Sequence, residues 1–443
     1  MTEPQDVPRI WIETYGCQMN TYDTSAMYGI LDDHGYRRAG TAEDADVVIL
    51  NTCSVRDLAE HKIESRIGEL RSLQRKGESR ATVVGVAGCM AERLAGDLTK
   101  GNNRADLVLG VDQYEHLPTM VEKALRNSGR QFLVSTGHRD DVHYVAPPAA
   151  YPTNNSHLVA IHKGCDYKCT YCIVPMTRGP QREKSPEVIE QEIRAIIAGG
   201  GEEVTLLGQN VTAYRAEDLS FAGLLQRLAG LDGLRRIRFL TGHPCDMGEE
   251  LIRTIGELNV ICPWLHVPAQ SGSDRVLKRM KRHYTSSEYL RMVESARRLI
   301  PDVTFSGDFI VGFPGETDED FRLTLELVRS VGYDQTFNFK YSERPGTPAA
   351  RLEDDVPLQL KKSRLEELLS LQDDIWSRTA EGQTGAIWDI TLEEPARRPD
   401  GAWRGRTPNN RKVLLKNCEG HVGQNLRVEI TGHEATTFMG EAI

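Results

Sequence analysis

The sequence lacks the features that mark membrane-spanning, secreted and low-complexity proteins. No apolar run approaches the roughly 18–20 residues that a membrane-spanning helix needs. The N-terminus, MTEPQDVPRI, has no basic region followed by an apolar core, so it does not predict a secretory signal. There is no low-complexity tract, and no internal repeat beyond an alternation of strands and helices. These absences predict a globular protein of the cytoplasm, where thiols stay reduced.

An excess of positive charge is also lacking. The chain has 54 lysines and arginines against 64 acidic residues, a net charge of −10. The surface as a whole therefore does not favour non-specific binding of nucleic acid, and any RNA contact must come from local basic patches. Nine cysteines in a chain whose thiols stay reduced indicate metal or redox chemistry rather than disulfides.

Residues 1–145 alternate between apolar strand patterns and helical patterns, which predicts an open, mainly parallel α/β domain. Cysteines follow the first three strands, at Cys17, Cys53 and Cys89. Because the carboxyl ends of parallel strands share one edge, these cysteines are expected to converge there. The alternative is three separate thiols, each packed as a small hydrophobe. The pairs Asn20 with Asp23 and Ser54 with Asp57 are predicted to be N-caps of the following helices, each with an acid three residues on.

A Pro/Ala/Tyr-rich linker is predicted at residues 146–152, and a second alternating series follows it. Six strand patterns, separated by helical ones, predict an incomplete (β/α)6 barrel over residues 151–378. The strand patterns are HLVAIHK, EVTLLGQ, RIRFLTG, WLHVPAQ, VTFSGDFIVGF and QTFNFKYS. Residues 379–443 change to short β segments punctuated by Gly, Pro and Asn, which predicts a small closed or partly closed β barrel.

Three cysteines, Cys165, Cys169 and Cys172, lie in the loop after the first predicted barrel strand with the spacing C-x3-C-x2-C. Cubane iron–sulfur clusters normally take four cysteines. Three thiolates would leave one iron open to a small molecule, by the logic that separates catalytic from structural metal sites. The alternatives are a zinc knuckle or buried thiols, although no fourth Cys or His stands at zinc-like spacing.

Motifs along the whole chain resemble those of the radical S-adenosylmethionine methylthiotransferases, and within them the MiaB-type tRNA methylthiotransferases. The C-terminal segment WRGRTPNNRKVLL is similar to the RNA-binding TRAM domain. The other motifs are YGCQMN, NTCSVR, AGCMAER, GCDYKCTYCIVP, TLLGQNV, HVPAQSGSDRVLKRM, DFIVGFPGETDEDF and RPGTPAA.

The resemblance implies two 4Fe–4S clusters. One, on Cys165, Cys169 and Cys172, would bind S-adenosylmethionine and give a 5′-deoxyadenosyl radical. The other, on Cys17, Cys53 and Cys89, would handle the sulfur that is methylated and transferred. The implied substrate is N6-isopentenyladenosine, directly 3′ of the anticodon in tRNAs that read codons starting with U, and the product is its 2-methylthio derivative. A flavodoxin or ferredoxin is expected as electron donor, and the enzyme is expected to be a monomer.

Three further residues are expected to contact the cofactor. Tyr171, beside the last cysteine, is expected to pack on the adenine of S-adenosylmethionine. Gln209 and Asn210, at the end of the second barrel strand, are placed to give polar contacts on the catalytic face. Both could equally cap the turn that follows the strand.

RNA contacts are expected from two basic patches. One is a helical stretch on which Val276, Leu277 and Met280 are predicted to face inward, although a solvated helix face is the usual fate of such a charge run. A β barrel with basic loops would suit a single-stranded anticodon loop. The candidates are Arg275, Lys278, Arg279, Lys281 and Arg282 in the first patch, and Arg404, Arg406, Arg411 and Lys412 in the second.

Rival functions remain open at this point. Sister methylthiotransferases act on threonylcarbamoyl-adenosine in tRNA or on a ribosomal protein, and the YGCQMN and TRG motifs argue against both. A non-catalytic iron–sulfur RNA-binding protein would not cleave S-adenosylmethionine. A zinc RNA-binding module would be colourless rather than brown.

Overall fold

The computed structural model describes residues 7–54, 57–101, 104–126, 132–139, 156–398 and 401–443. The predicted linker at 146–152 lies outside these residues. The chain divides into two compact units, the first made of 1–151, 163–167 and 173–182, the second of 152–162, 168–172 and 183–443. No described helix combines the length and the hydropathy needed to cross a bilayer.

The first unit contains a six-stranded, fully parallel sheet in the order β2-β1-β3-β4-β5-β6. The predicted parallel α/β domain is confirmed; the short edge strands β2 and β6 are additions to the prediction. Its elements are β1 (Arg9–Tyr15), α1 (Gln18–Asp33), β2 (Arg37–Arg38), β3 (Val47–Thr52), α2 (Asp57–Lys76), β4 (Val83–Gly88), α3 (Cys89–Leu98), β5 (Leu107–Leu109), α4 (Leu117–Arg126) and β6 (Leu133–Ser135).

The centre of this sheet is buried on both faces. Every residue of β3 and of β4 is buried, as expected of parallel strands that helices cover on both sides. Alternate residues of one strand belong to different cores: Val47 and Ile49 pack in one cluster, Val48 and Leu50 in the other. Burial on both faces fixes the register of these strands, and so fixes where each of them ends.

The second unit begins with the six predicted barrel strands, arranged as two three-stranded parallel sheets, β13-β10-β7 and β14-β15-β16. A parallel bridge between Ile237 and Ile261 links them. From residue 156 the elements, of which α5 belongs to the first unit, are β7 (Ser156–Ala160), β8 (His162–Lys163), α5 (Val174–Thr177), β9 (Arg182–Glu183), α6 (Pro186–Ala198), β10 (Glu203–Leu207), β11 (Arg215–Ala216), β12 (Leu219–Ser220), α7 (Phe221–Ala229), β13 (Arg236–Phe239), α8 (Glu249–Glu257), β14 (Trp264–His266), α9 (Asp274–Met280), α10 (Ser286–Leu299), β15 (Thr304–Val311), α11 (Asp318–Val331), β16 (Gln335–Lys340) and α12 (Leu358–Glu381).

The chain ends in a closed five-stranded barrel in the order β17-β18-β19-β21-β20. Its strands are β17 (Ile387–Pro395), β18 (Trp403–Arg406), β19 (Lys412–Leu415), β20 (Asn425–Glu434) and β21 (Thr437–Ala442). The predicted β barrel is therefore confirmed, with β18 and β21 added to the three predicted segments.

The loop between β18 and β19 docks at the amino ends of the (β/α) barrel strands. Arg238 donates to the carbonyls of Thr407 and Pro408 at 3.0 and 2.8 Å. The Thr304 hydroxyl donates to the carbonyl of Asn409 at 2.6 Å. These contacts lie at the end of the barrel strands opposite to the cysteine-bearing loop.

Candidate functional site

The carboxyl edge of the first unit's sheet brings three cysteines together. Cys17 stands two residues after β1, Cys53 directly follows β3, and Cys89 directly follows β4. A hydrogen bond between the Cys17 and Cys53 thiols, helped by the charge of Arg178, lowers the pKa of Cys17 to about 6. Burial raises the pKa of Cys89. The expectation that these cysteines converge fits this geometry; that they ligate a cluster stays a prediction.

Two glycines allow the strand ends to approach closely. A Cβ on Gly16 would lie 2.7 Å from Cβ of Cys53. Gly88 has φ +92°, and a Cβ there would lie 2.5 Å from the carbonyl oxygen of Thr52. Both distances are shorter than side chains tolerate, so each cysteine-bearing loop meets its neighbour only because these positions lack a side chain.

The predicted N-cap at Asn20 is wrong. Helix α1 begins at Gln18, and Cys17 occupies the N-cap position. The Asn20 side chain instead accepts from the Cys17 backbone N–H at 3.3 Å and from its thiol at 3.4 Å, and donates to the carbonyl of Thr52 at 3.1 Å. The second predicted cap, Ser54 with Asp57, spans residues 55 and 56, which lie outside the described ones, and stays a prediction.

Asp23, the acid of the predicted Asn20 cap, is buried and pairs with a residue far along the chain. Arg178 Nη2 lies 2.7 Å from Asp23 Oδ2, and Arg178 Nε donates to the Cys89 Sγ at 3.2 Å. Burial lowers the pKa of Arg178, but Asp23 and Cys89 more than offset this, so the pKa rises well above its ordinary value. Sequence reasoning did not single out Arg178; its position in the TRGP motif was the available signal.

The C-x3-C-x2-C loop is divided between the two units. Cys165 groups with the first unit, where its backbone N–H donates to the carbonyl of Gly179 at 3.2 Å. Cys169 and Cys172 group with the second unit, and Cys172 donates to the Cys169 carbonyl at 3.1 Å. Thr170 between them is fixed by hydrogen bonds to the carbonyls of Met280 and Arg279, both 3.0 Å.

Arg282 was predicted to belong to a basic RNA-binding patch, and the structure places it elsewhere. Its side chain is buried, with Nη1 3.5 Å from the Cys169 Sγ and Nη2 2.9 Å from the carbonyl of Pro268. Lys281 adopts a left-handed backbone conformation that ends α9 and turns the chain inward at this point. A run of basic residues gives no sign of such a turn.

The three expected cofactor contacts have different surroundings. Tyr171 is half-buried and packs against a cluster that includes Phe313 and Tyr341. Asn210 is buried, donates to Asp246 at 2.6 Å and accepts from Thr212 at 2.8 Å, so its side chain does not cap the turn. Gln209 is half-buried. Their contact with a cofactor stays a prediction.

In the first basic patch, four of the five predicted cations lie at the surface, and one of these four, Arg275, is ion-paired. Lys278, Arg279 and Lys281 are exposed, whereas Arg275 is tied to Asp320 by an ion pair. The predicted inward face of this helix is confirmed, since Val276, Leu277 and Met280 are fully buried.

In the second patch most charges are already paired. Arg404 pairs with Glu394 at 3.1 Å and Arg406 with Glu393 at 2.6 Å. Arg411 pairs with Asp334 at 2.8 Å and lies over the Trp388 ring, which makes it a docking residue of the C-terminal barrel. Lys412 is exposed.

Two phenylalanines on β16 are unusually exposed and were not singled out from the sequence. Phe337 and Phe339 are 39% and 42% exposed, on the same face of the strand. Phe337 pairs in register with Asp308 and lies edge-on to His266 at 5.8 Å. This face of the sheet therefore combines exposed aromatic rings with an imidazole and a carboxylate.

No group of three His, Cys, Asp or Glu side chains within the described ranges is close enough to ligate a single metal ion. A cubane differs from a single ion in that each thiolate binds a different iron. The six cysteine ligands therefore stay predictions.

Two family models match separate parts of the chain. The Radical SAM superfamily model matches residues 159–328, and that of Uncharacterized protein family UPF0004 matches residues 9–110. The fold is similar to the radical S-adenosylmethionine methyltransferase TsrM from Kitasatospora setae, with TM-score 0.54 and 14% identity, covering 78% of this chain and 74% of that one. At that identity the likeness shows the fold alone. The second unit thus has the architecture of a radical S-adenosylmethionine enzyme.

Curated relatives match over nearly the full length. The tRNA-2-methylthio-N(6)-dimethylallyladenosine synthase of Bartonella bacilliformis is 38% identical, over 99% of this chain and 97% of the relative. The protein of the same name from Parabacteroides distasonis is 42% identical, over 99% and 96%. The chain belongs to this family of methylthiotransferases, and it is an enzyme of the transferase class.

Proposed function

We propose that this enzyme attaches a methylthio group to carbon 2 of N6-isopentenyladenosine in tRNA. The target is the adenosine directly 3′ of the anticodon in tRNAs that read codons starting with U, and the product is 2-methylthio-N6-isopentenyladenosine. The observation that carries the proposal is the convergence of Cys17, Cys53 and Cys89 on one sheet edge. A second thiol site, separate from the C-x3-C-x2-C loop, is what this reaction would use to hold the sulfur that is transferred.

The residues present fit two clusters. Cys17, Cys53 and Cys89 would hold one, and the glycines beside them let the cysteine-bearing strand ends approach one another. Cys165, Cys169 and Cys172 would hold the other, with S-adenosylmethionine at its open iron. When bound, the cluster on Cys165, Cys169 and Cys172 would supply the electron that cleaves S-adenosylmethionine to methionine and the 5′-deoxyadenosyl radical. The protein would orient the reactants and exclude water.

The second unit fixes the part of the loop that carries Cys169 and Cys172. Thr170 is held by backbone carbonyls at the end of α9, and its own carbonyl accepts from Ala349 at 2.8 Å. Arg282 places a buried guanidinium nitrogen 3.5 Å from the Cys169 Sγ and thereby helps to fix the position of that ligand. In this proposal Tyr171 packs on the adenine of S-adenosylmethionine, and Asn210, held by Asp246, presents polar groups to it.

RNA would be held by charge and by aromatic rings. Lys278, Arg279 and Lys281 are the exposed cations of the first patch and would contact phosphates. Phe337 and Phe339 offer rings on which an unpaired base can stack, which is how proteins usually recognise single-stranded loops. Asp308 beside them disfavours a phosphate and favours a neutral base there.

The wider setting follows from the same chemistry. We place the enzyme in the cytoplasm, where tRNA is found and thiols stay reduced. We expect a monomer that receives single electrons from a flavodoxin or ferredoxin. Size-exclusion chromatography with light scattering, and reduction kinetics with each donor, would test these two points.

The test of the function is an anaerobic assay. The clusters are reconstituted, S-adenosylmethionine, reductant and an isopentenylated anticodon stem-loop are added, and the nucleosides are analysed by mass spectrometry. We expect the 2-methylthio product from the unaltered enzyme and none from Cys169→Ala. Cys262→Ala is the matched control, because Cys262 is equally buried and belongs to neither cysteine group.

The outcomes separate the rival functions. Formation of 5′-deoxyadenosine with unchanged RNA would retain the radical chemistry and overturn the substrate, and would direct the assay to the substrates of the sister enzymes. Absence of cleavage with both clusters intact would overturn the enzymatic function in favour of RNA binding alone.

A further inference from the structure

Arg178 has a donor left over at the three-cysteine site of the first unit. Its Nη2 is used by Asp23 at 2.7 Å and its Nε by the Cys89 Sγ at 3.2 Å. The third nitrogen, Nη1, is buried and has no hydrogen-bond partner among the described residues. Only 3% of the Arg178 side chain is exposed, so water does not readily satisfy this donor. A buried, unpartnered guanidinium donor is costly unless a ligand completes it.

The surrounding charges leave this site attractive to an anion. Lys163, Arg178 and Arg182 supply buried or largely buried cations, and the buried carboxylates beside them are Asp23 and Asp112. Arg182 lies 2.6 Å from Asp112, and Lys163 lies 3.8 Å from it. Arg178 is therefore the cation that both touches a cysteine sulfur and keeps a donor unused.

We propose that Arg178 is a positioning residue for the cluster held by Cys17, Cys53 and Cys89. Its Nε donates to the Cys89 thiolate and its Nη1 donates to a sulfide of the cluster, while Asp23 holds the guanidinium in place. This inference rests on the proposed function, because it requires that the three thiols hold a cluster.

The physical consequence is a raised reduction potential. Hydrogen bonds to the sulfurs and the net charge around a cluster both set its potential. A cluster gains negative charge on reduction, and Arg178 stabilises the more negative state more than the less negative one. Removal of Asp23 should raise the potential further, since the guanidinium then acts on the cluster without a neutralising carboxylate.

The experiment isolates this cluster in the full-length chain. Cys165, Cys169 and Cys172 are changed to Ala in the parent, so that only the first unit can hold a 4Fe–4S cluster. Its potential is measured by anaerobic redox titration followed by electron paramagnetic resonance. We expect Arg178→Gln to lower the equilibrium constant for reduction of the cluster at least tenfold, which is about 59 mV for one electron. We expect Asp23→Asn to raise that equilibrium constant.

The matched control is Arg71→Gln. Arg71, which is half-buried, forms an ion pair with the buried Asp106 at 2.8 Å, but Asp106 stands at the amino end of β5, away from the cysteine-bearing edge. Its removal should leave the potential unchanged. A merely structural role for Arg178 would lower the cluster content of both variants at the site without shifting their potentials in opposite directions.

The outcomes are distinct. Opposite shifts in Arg178→Gln and Asp23→Asn support the proposal, and unshifted or equal potentials overturn it while the proposed function stands. If Arg178→Gln holds no cluster, Arg178→Lys takes its place in the same comparison, because it keeps the charge and loses the donor to Cys89. A parent that assembles no 4Fe–4S cluster overturns this inference and the proposed function together.

Discussion

Gly88 lies where the backbone and its neighbours both exclude a side chain. It ends β4 directly before Cys89, with φ +92° and ψ −157°, a region that only glycine adopts readily. A Cβ there would lie 2.5 Å from the Thr52 carbonyl oxygen and 2.6 Å from Asn51 Oδ1. The Thr52 oxygen belongs to the backbone of a fully buried strand and cannot easily move aside. Gly88→Ala therefore displaces the loop that carries Cys89.

The cost has two parts. An alanine in this backbone conformation is disfavoured by about 1–3 kcal/mol. Forcing a methyl group into the packed strand ends costs about 1–3 kcal/mol more. The local free energy of opening should fall by about 2 kcal/mol at least, which corresponds to amide exchange about 30-fold faster, since about 1.4 kcal/mol is tenfold.

The assay is hydrogen–deuterium exchange of peptides that cover Val83–Gly88, because it reports local opening and needs no two-state unfolding of the whole chain. Gly96→Ala is the control: Gly96 is exposed in α3 with no atom within 4 Å of an added Cβ, so alanine should stabilise it by about 0.5–1 kcal/mol. Exchange in Gly88→Ala within threefold of the unaltered protein would refute the reasoning.

Three further predictions concern charge. Burial raises the pKa of Asp112, but His138 and Arg182 more than offset this and lower it to about 2. The stabilising contribution of Asp112 is therefore present above pH 4 and is lost as the pH falls towards 2. Asp112→Asn should remove that pH dependence from the amide hydrogen exchange of the first unit. Arg364→Met leaves the Glu316 carboxylate buried without its partner at 2.9 Å, and should speed exchange in β15 by the equivalent of about 3–5 kcal/mol. Lys278→Ala should reduce the salt dependence of RNA affinity by about 0.7 in log–log slope, whereas Arg411→Ala should leave that slope unchanged.

The repeating parts of the fold could be predicted from the sequence. Long strands with strong apolar patterns, such as β3 and β4, lie where they were expected, and helices such as α11, with its Thr317–Asp320 capping box, begin at a clear sequence signal. Both signals are local, since a few neighbouring residues determine them. The two-residue strand β2 has no pattern of its own and exists because β1 offers an edge.

The sequence points to candidate ligands of the site but not to the residues that support them. Cysteine spacing and strand ends point to the six thiols, because chemistry constrains both. Asp23 was assigned to a helix cap because its partner stands 155 residues away. Arg282 was assigned to a surface patch because a left-handed turn at Lys281 leaves no mark in a run of basic residues. Both errors replace a tertiary contact by the nearest local explanation.

The first unit is not a continuous piece of chain, and this bears on its synthesis. Residues 1–151 contain the whole six-stranded sheet, but Arg178 belongs to the segment 173–182. At about 5–20 residues per second, the ribosome needs roughly 8–30 s to travel from Asp23 to Arg178, 155 residues later. Over that interval the nascent sheet carries a carboxylate without its guanidinium. A release of the chain at residue 151 would make that state permanent.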